Sequence, residues 1–238
     1  MKKLIIGAGH CGQGLAKIFG AKGEAYRLIH HTDNWESLVS DSSMIINCAG
    51  IVGRKKAEAV SYTELMDANI HLPMKIAERA TTWGIPCILI STGAVYAKPS
   101  GTLKVESDAR EPTNAYTESK ILMENNCKHT DATIFRLTNL CGDGEHPNDY
   151  ENGIERWKYV VSTYVSTLNI NRFATVLSAI PENREAFKGQ IFNIAEPRLI
   201  YLPALCPEKP LIEKEEQPDT ATVSHILDIS KLWKIIKF

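Results

Sequence analysis

Short apolar runs alternate with longer segments of helical apolar spacing along the first part of the chain. Lys3–Ile6 and Ala25–His30 are short and largely apolar, and both predict β-strands. Between them, Gly12–Lys22 carries apolar residues three and four positions apart, which predicts an amphipathic helix. The three segments together predict one βαβ unit with parallel strands.

The same alternation continues up to about Leu140. The stretch SMIINCAG predicts a buried strand that ends at Asn47, and SYTELMDANIHLPMKIAERATTW predicts a long helix with a kink at Pro73. After it come a strand in PCILIS, a helix over Ala115–Lys128 and a strand in ATIFRL. This order predicts an α/β fold, a doubly wound parallel sheet with helices on both faces.

Beyond Leu140 the pattern is looser. Helices are predicted near Glu155–Thr167 and Arg172–Ile180, followed by GQIFNIAEP and by a stretch rich in Pro and Glu from Pro203 to Pro218. With 238 residues and 44% hydrophobic content, the chain can bury a real core. We therefore expect a main domain over residues 1–140 and a small portion over residues 141–238 that is interleaved with it.

Charge and composition narrow the classes of partner. The chain has 27 basic and 28 acidic residues, a formal net charge of −1, and no long block of one sign. This balance argues against a nucleic-acid or membrane surface and favours a small-molecule partner. The first apolar run is too short for a secretory signal, and the six cysteines form no CxxC pair. We expect reduced thiols in a cytoplasmic protein and no metal site.

The sequence GAGHCG follows the first predicted strand and opens the first predicted helix. Gly7, Gly9 and Gly12 stand in GxGxxG spacing, which binds a dinucleotide in this context. Gly7 allows a tight turn, Gly9 lets the backbone approach a pyrophosphate, and Gly12 lets helix pack closely on strand. His10 is a candidate contact to a cofactor phosphate, and Cys11 is a weaker one. The alternative is a glycine-rich turn that binds no ligand.

The end of the second predicted strand bears on the kind of dinucleotide. An acidic residue about 20 positions after the glycines binds the ribose 2′-hydroxyl of NAD, whereas a cation suits the 2′-phosphate of NADP. This chain has His30 and His31 there, with Arg27 shortly before them. We therefore favour NADP(H) as the cofactor and keep NAD(H) as the alternative.

A hydroxyl pair and a Tyr–Lys pair follow further along. STGAVY places Ser91 and Thr92 at the end of a predicted strand, and NAYTESK places Tyr116 and Lys120 one helical turn apart on one face. A lysine ammonium there is expected to lower the pKa of the Tyr116 phenol, so that Tyr116 acts as general acid or base. Thr92 would hydrogen-bond the same substrate oxygen. The alternative for Tyr116 and Lys120 is a pair on the helix surface.

These motifs belong to a longer series that includes IINCAG, ESDAREPTNAYTESKILME, IFRLTNLCGDG, GQIFNIAEP and LDISKLWKI. With them the chain resembles the extended short-chain dehydrogenase/reductase family, of NAD-dependent epimerase/dehydratase type, and within it the dTDP-4-dehydrorhamnose reductase branch. The resemblance implies a Rossmann fold in which residues 1–140 bind NAD(P) and residues 141–238 bind the substrate. It also implies that Thr92, Tyr116 and Lys120 form the catalytic triad, with Lys120 holding the nicotinamide ribose as well.

The resemblance assigns supporting residues too. Ala49 and Gly50 would pack against the cofactor ribose, and Asn69 would support the site from the long central helix. Leu137, at the end of a strand, and Asn139, just after it, would lie near the nicotinamide and the substrate. For Asn69 and Asn139 the alternative is a capping role in a helix or loop.

A nucleotide sugar is the substrate that the resemblance implies, and reduction of its 4-keto group is the first hypothesis. Gly93 and Ala94 stand where the reductases usually carry an acid and an aromatic residue, and RLTNLCG is closer to the epimerases. A nucleotide-sugar epimerase or dehydratase is therefore the second hypothesis, and a non-catalytic dinucleotide-binding regulator is the third. The family also suggests a homodimer formed through helices near Met66 and Leu122.

Overall fold

The computed structural model describes residues 1–97, 103–142, 160–161, 164–201, 211–212 and 226–236. The described helices are α1 (His10–Ala21), α2 (Arg54–Ala59), α3 (Tyr62–Met66), α4 (Leu72–Thr82), α5 (Ala115–Asn126), α6 (Ile170–Ala179), α7 (Arg184–Phe187) and α8 (Ser230–Trp233). The described strands are β1 (Lys2–Ile6), β2 (Tyr26–Ile29), β3 (Ser42–Asn47), β4 (Cys87–Thr92), β5 (Leu103–Lys104), β6 (Thr133–Leu137), β7 (Asn139–Cys141), β8 (Val160–Val161), β9 (Tyr164–Val165), β10 (Thr167–Asn169), β11 (Ile191–Ile194), β12 (Ile200–Tyr201), β13 (Leu211–Ile212) and β14 (Ile226–Leu227).

Six strands form the main sheet, in the order β11-β6-β4-β3-β1-β2. Every neighbouring pair in it is parallel, which confirms the predicted doubly wound α/β fold. From β1 the chain passes to β2 on one side and then to β3 on the other, so the strand order reverses between β1 and β3. At such a point the carboxyl ends of the strands leave a crevice in which ligands bind.

Alternate residues of a strand pack into cores on opposite faces of the sheet. In β1, Ile5 belongs to the core that includes residues of α1 and α6, whereas Leu4 and Ile6 belong to the core that includes residues of α4 and α5. Burial on both faces explains why the strands of this sheet carry near-continuous apolar runs in the sequence. The two helical layers hold the carboxyl edge of the sheet in place.

The predicted long central helix runs from Tyr62 to Thr82, interrupted by a π-helical turn over Asp67–His71. Pro73 has no N–H, so the α-helical bond to the carbonyl of Asn69 cannot form. The kink predicted at Pro73 therefore takes the form of a wider turn just before it. Single π turns of this kind are frequent at functional sites.

Residues after Leu140 differ most from the predictions. Part of the predicted helix Glu155–Thr167 lies outside the described residues, and its described remainder forms the short strands β8 and β9 and the start of β10, so that prediction is wrong. The β-branched and aromatic residues of the segment YVVSTYVST favour strands over helix, which accounts for the error. The helix predicted at Arg172–Ile180 is confirmed as α6.

The last parts of the chain reach back to the main sheet. Ile191–Ile194, within GQIFNIAEP, forms β11 and pairs in parallel with β6. The stretch Pro203–Pro218 lies outside the described residues, apart from β13. In the part of the chain that the structure describes, no helix is long and apolar enough to cross a membrane.

Candidate active site

The glycine loop connects β1 to α1 at the reversal of strand order. Gly7 has φ 106°, and a Cβ there would lie 2.4 Å from the backbone nitrogen of Ala49, so only glycine fits. A Cβ at Gly12 would lie 2.0 Å from the carbonyl oxygen of Gly7, so Gly12 is required where α1 packs on β1. Gly9 is exposed, and a Cβ there would meet no atom within 4 Å. The loop is thus tightly packed at Gly7 and Gly12, and it has open space at Gly9.

This openness is what a dinucleotide pyrophosphate needs. Gly9 is the N-cap of α1 and offers no side chain to the first-turn N–H groups. Those N–H groups and the positive end of the helix dipole point toward the open side. His10 and Cys11 are partly buried in this first turn. The geometry of the loop fits a dinucleotide phosphate.

The end of β2 contains an acid that the sequence prediction did not weigh. His30 and His31 are exposed there, and the backbone N–H of His30 donates to Oδ2 of Asp33 at 2.9 Å. This hydrogen bond closes a turn that brings the Asp33 carboxylate back to the end of β2. Asp33 comes three residues after His30, so it lies outside the strand end in the sequence but next to it in the structure. Arg27 is exposed on the edge strand β2. The signal was present in HHTDN, because Asp commonly closes such turns.

Thr92 and Tyr116 meet above the carboxyl end of β4. Thr92 is the last residue of β4, Tyr116 lies in the first turn of α5, and the Thr92 hydroxyl is near enough to the Tyr116 phenol to act on its pKa. A capping box between Asn114 and Thr117 fixes that first turn, since each residue's side chain accepts the other's backbone N–H. Local sequence therefore determines where α5 begins, and with it the position of Tyr116 in the first turn.

The ionisation of Tyr116 differs from the prediction. Burial raises the pKa of Tyr116 to about 12, and the nearby Thr92 hydroxyl opposes this only in part. Lys120 was expected to lower that pKa, but burial outweighs any such effect and the direction we predicted is wrong for the free protein. At neutral pH Tyr116 is a protonated phenol that can donate its proton.

Lys120 lies one turn further along α5, pointing at the same edge of the sheet. Its side chain is only 4% exposed, and Nζ donates to the carbonyl oxygen of Ile90 at 2.9 Å. Burial lowers the pKa of Lys120 to about 8, although the charge of Glu124 and the thiol of Cys48 act in the opposite direction. This is a buried lysine whose charge is sensitive to pH near neutrality.

Ser91 faces away from this pair because successive strand residues alternate. Its Oγ donates to Oε1 of the fully buried Glu124 at 2.6 Å. Glu124 also accepts from Arg136, which donates from Nε at 3.0 Å and from Nη2 at 2.7 Å, and from Arg110 at 2.7 Å. Sequence reasoning missed this network, whose members come from β4, α5 and β6 and from the segment before α5. Thr92, and not Ser91, therefore faces Tyr116.

Asn69 ties the loop after β3 to α5. Its Oδ1 accepts from the N–H of Ile51 at 2.7 Å, and its Nδ2 donates to the carbonyl of Ile51 and to Oγ of Ser119, both at 2.9 Å. Gly50, with φ 148°, lies between these groups, because a Cβ there would be 2.9 Å from Asn69 Oδ1 and 3.8 Å from Lys120 Nζ. The Ala49 N–H donates to Oδ1 of Asn47 at 3.1 Å, which fixes the same loop.

The last two predicted residues lie where β6 ends and β7 begins. Leu137 is in register with Thr92 and is largely buried. The Asn139 amide Nδ2 donates to the carbonyl of Ser166 at 3.1 Å, and Thr138 Oγ1 donates to the same carbonyl at 2.6 Å. These bonds join the end of β6 to the C-terminal portion of the chain. Among the described residues, no group of three or more His, Cys, Asp or Glu side chains could hold a metal ion.

The parallel sheet, the glycine loop at its reversal of strand order and the Thr–Tyr–Lys set define a Rossmann-type protein. A model of the NAD dependent epimerase/dehydratase family matches residues 24–161, which is more than half of the chain. The chain belongs to that family, whose members are NAD(P)-dependent reductases and epimerases of the short-chain dehydrogenase/reductase type. No curated protein sequence matches it significantly.

Solved structures of the same fold cover nearly the whole chain. MoeE5 in complex with UDP-glucose and NAD is similar with a TM-score of 0.81 and 14% identity, over 100% of this chain and 93% of that chain. A dTDP-4-dehydrorhamnose reductase from Clostridium acetobutylicum gives 0.75 and 19%, over 98% and 91%. UDP-glucuronic acid 4-epimerase from Bacillus cereus, in complex with NAD, gives 0.75 and 17%, over 99% and 90%. At these identities the likeness shows the shared fold.

Proposed function

We propose that this protein uses a nicotinamide dinucleotide to reduce a keto group of a nucleotide sugar, as a 4-keto reductase similar to the dTDP-4-dehydrorhamnose reductases. The observation that carries the proposal is that the Thr92 hydroxyl at the end of β4 lies close enough to the Tyr116 phenol to act on its pKa, with Lys120 one turn away and close to Gly50. Family membership supports the chemistry, and the likeness to a solved reductase supports the substrate class.

The roles of the three side chains follow from their ionisation. Tyr116, protonated at neutral pH, donates its proton to the substrate oxygen, and Thr92 donates or shares a hydrogen bond at that oxygen. Lys120, cationic below its pKa of about 8, stabilises the phenolate that Tyr116 leaves behind. The bound cofactor supplies the hydride. The glycine loop would hold its pyrophosphate, and Ala49, Gly50 and Lys120 its nicotinamide ribose.

Supporting residues complete this assignment. Asn69 holds the Gly50 loop against α5 through its three hydrogen bonds. Leu137 and Asn139 would lie near the nicotinamide and the sugar, and the register of Leu137 with Thr92 supports this for Leu137. His10 and Cys11 stay candidate contacts to the cofactor phosphates. Residues 141–238 would supply the sugar-binding portion.

For the cofactor we favour NADP(H), with the exposed His30 and His31 as partners of a 2′-phosphate. The Asp33 carboxylate at the same strand end favours NAD(H), because it would accept from a ribose hydroxyl and repel a phosphate. Solved structures of this fold include complexes with NAD and with NADPH. Fluorescence titration of the wild type and of Asp33→Asn with NADH and NADPH distinguishes the two cofactors. The wild type should bind NADPH more tightly than NADH, and Asp33→Asn should increase that preference.

The test of the reaction is Tyr116→Phe against a panel of nucleotide-activated keto sugars. We expect dinucleotide binding to persist and turnover to fall by about 10²- to 10⁴-fold, because the proton donor is removed while the hydroxyl of Thr92 remains. Tyr62→Phe is the matched control, since Tyr62 is exposed on α3. Undiminished turnover by Tyr116→Phe would rule out the mechanism.

The same panel of nucleotide-activated keto sugars tests two alternative functions. An epimerase or dehydratase is favoured by the family's name and by the absence of an acid at Gly93, and it would convert the sugar without net consumption of the dinucleotide. A non-catalytic regulator would bind the dinucleotide and convert none of the sugars.

Dimerisation through helices near Met66 and Leu122 also stays a prediction. Both side chains are partly buried against the core under α4 and α5.

A further inference from the structure

Two cysteines far apart in the sequence meet beneath the proposed cofactor site. Cys11 lies in the first turn of α1, inside the glycine loop, and Cys48 follows directly after β3. Their sulfur atoms are 3.9 Å apart, and the Cys48 thiol donates to the Cys11 sulfur. Both residues are partly buried, and they face each other across the reversal of strand order between β1 and β3.

The other described cysteines are placed differently. Cys87, Cys127 and Cys141 are all 2% exposed or less. Burial raises the pKa of Cys127 to about 12 and that of Cys87 further still, so neither is a ready source of thiolate. Cys11, by contrast, is partly exposed in the first turn of α1, so a small disulfide can reach its sulfur.

Cys48 suits the second role in a disulfide exchange. Its hydrogen bond to Cys11 and its burial raise the pKa of the Cys48 thiol well above the ordinary value, so it is protonated at neutral pH in the reduced protein. The Lys120 ammonium interacts with Cys48 in the opposite direction, which favours its thiolate. Cys48 is thus a resolving thiol already in contact with the sulfur it would attack.

We infer that Cys11 and Cys48 form an oxidisable dithiol whose disulfide joins the glycine loop to the end of β3 and weakens dinucleotide binding. The effect on binding rests on the proposed function, whereas the formation of the disulfide does not. The oxidant is a low-molecular-weight disulfide such as oxidised glutathione. The Cys11 thiolate attacks one of its sulfurs and releases one glutathione thiolate; Cys48 then loses its proton, attacks the Cys11 sulfur and releases the second glutathione.

Closure of the bond moves parts of the binding loop. An S–S bond is about 2.05 Å long, so the two sulfurs must approach by roughly 2 Å. The backbone here has little room to absorb that movement, because Gly7 is already packed so closely on Ala49 that a Cβ would lie 2.4 Å from it. The movement therefore changes the loop and the Ala49–Gly50 segment, which together would cradle the cofactor. A bound dinucleotide should in turn slow the oxidation, since coupling between two events is reciprocal.

The test compares the full chain in reduced and oxidised glutathione buffers. All variants carry Cys206→Ser, so that this sixth cysteine cannot take part in a cross-link. Oxidation should lower the intact mass by two hydrogens without retained glutathione, and trypsin should release peptide 4–17 joined to peptide 28–54, which hold Cys11 and Cys48. The dissociation constant for NADPH or NADH should rise at least tenfold on oxidation and return on reduction.

Cys11→Ser and Cys48→Ser should each abolish the joined peptide and the difference between oxidised and reduced protein. Cys141→Ser, in a residue outside the pair, should leave both intact. A mixed disulfide that persists on Cys11, a different cross-link, or a cross-link without change in dinucleotide affinity would each overturn the inference. If the reduced protein binds neither dinucleotide, the proposed function fails and the effect on binding with it, while the mass measurement still decides the disulfide.

Discussion

Two buried charges lie one helical turn apart on α5, and their surroundings differ. The Lys120 side chain is 4% exposed and that of Glu124 is 0% exposed. Glu124 accepts from Ser91, Arg110 and Arg136, two of which are cations. Lys120 donates to the carbonyl of Ile90, a neutral group. The two residues are buried to nearly the same extent. They differ in their hydrogen-bond partners, which include two cations for Glu124 and a neutral carbonyl group for Lys120.

The pKa values of Glu124 and Lys120 reflect these different hydrogen-bond partners. Burial alone would raise the pKa of Glu124, but the hydrogen bonds and charge of Arg136 hold it below the ordinary value. Burial dominates at Lys120, where the pKa falls to about 8. A buried charge with charged partners on several sides keeps a fixed state and holds elements together, whereas one with few partners can change its state near neutral pH. The first is suited to structure and the second to catalysis.

The largest effect is expected from removing the structural charge. Glu124→Ala leaves the buried Arg136 guanidinium without its carboxylate, and we expect the free energy of unfolding to fall by about 3–5 kcal/mol. Urea denaturation measures it. Glu118→Ala is the control on an exposed position of the same helix and should change stability by less than about 0.5 kcal/mol. A small loss in Glu124→Ala would mean that Glu124 is not what holds Arg136 in the core.

Lys120→Met tests the opposite case and should stabilise the free protein at pH 7. In the native state Lys120 titrates at about 8, below the ordinary value of 10.5, so between these pH values the unfolded state binds more protons. The Lys120 contribution to stability should therefore rise with pH through this window, by up to about 3 kcal/mol, while the buried thiols with raised pKa values act in the opposite direction. Lys120→Met should lose that contribution, so its stability should fall relative to that of the wild type as the pH rises, and it should also lose turnover.

Denaturation curves from pH 7 to 11 provide the measurement, with the exposed Lys75→Met as the control. Lys75→Met should keep the full pH dependence of the wild type. If Lys120→Met kept the pH dependence of the wild type, Lys120 would not titrate in this window, and the contrast between the two charges of α5 would lose its basis.

The smallest effects should come from the two hydroxyls at the end of β4. Ser91→Ala removes one of the bonds to Glu124 and should cost about 1 kcal/mol of stability, with little change in turnover. Thr92→Val removes the acceptor of the Ala94 N–H and should also cost about 1 kcal/mol, but unlike Ser91→Ala it should lower turnover by about tenfold or more, because Thr92 faces Tyr116. Stability and kinetic measurements on both variants check this difference in turnover. Loss of turnover in Ser91→Ala alone would show that Ser91, not Thr92, serves the reaction.

Sequence periodicity was sufficient for most of the main sheet, because strands buried on both faces and helices buried on one face have different spacings. It also placed Tyr116 and Lys120 on one side of α5, since spacing of four residues is a local property. The direction of the Tyr116 pKa depends on burial by groups distant in sequence, and the prediction failed there.

Three other features could not be predicted from the sequence, because they also depend on contacts that form only in the folded chain. The contact between Cys11 and Cys48 and the network around Glu124 exist only once several strands and helices are packed together. Asp33 was overlooked because a turn, and not a position in the strand, brings its carboxylate to the end of β2. The strands β8 to β10 were mistaken for a helix because short strands carry too few residues for a reliable period.

The pairing of β11 with β6 has a consequence for how the chain folds during synthesis. When the ribosome has made residues 1–140, β6 is the unpaired edge of the sheet, and the strand that covers it is residues 191–194. Until then an apolar edge with free N–H and C=O groups can pair with another nascent chain. A protein cut at residue 140 would keep this edge for good and should aggregate.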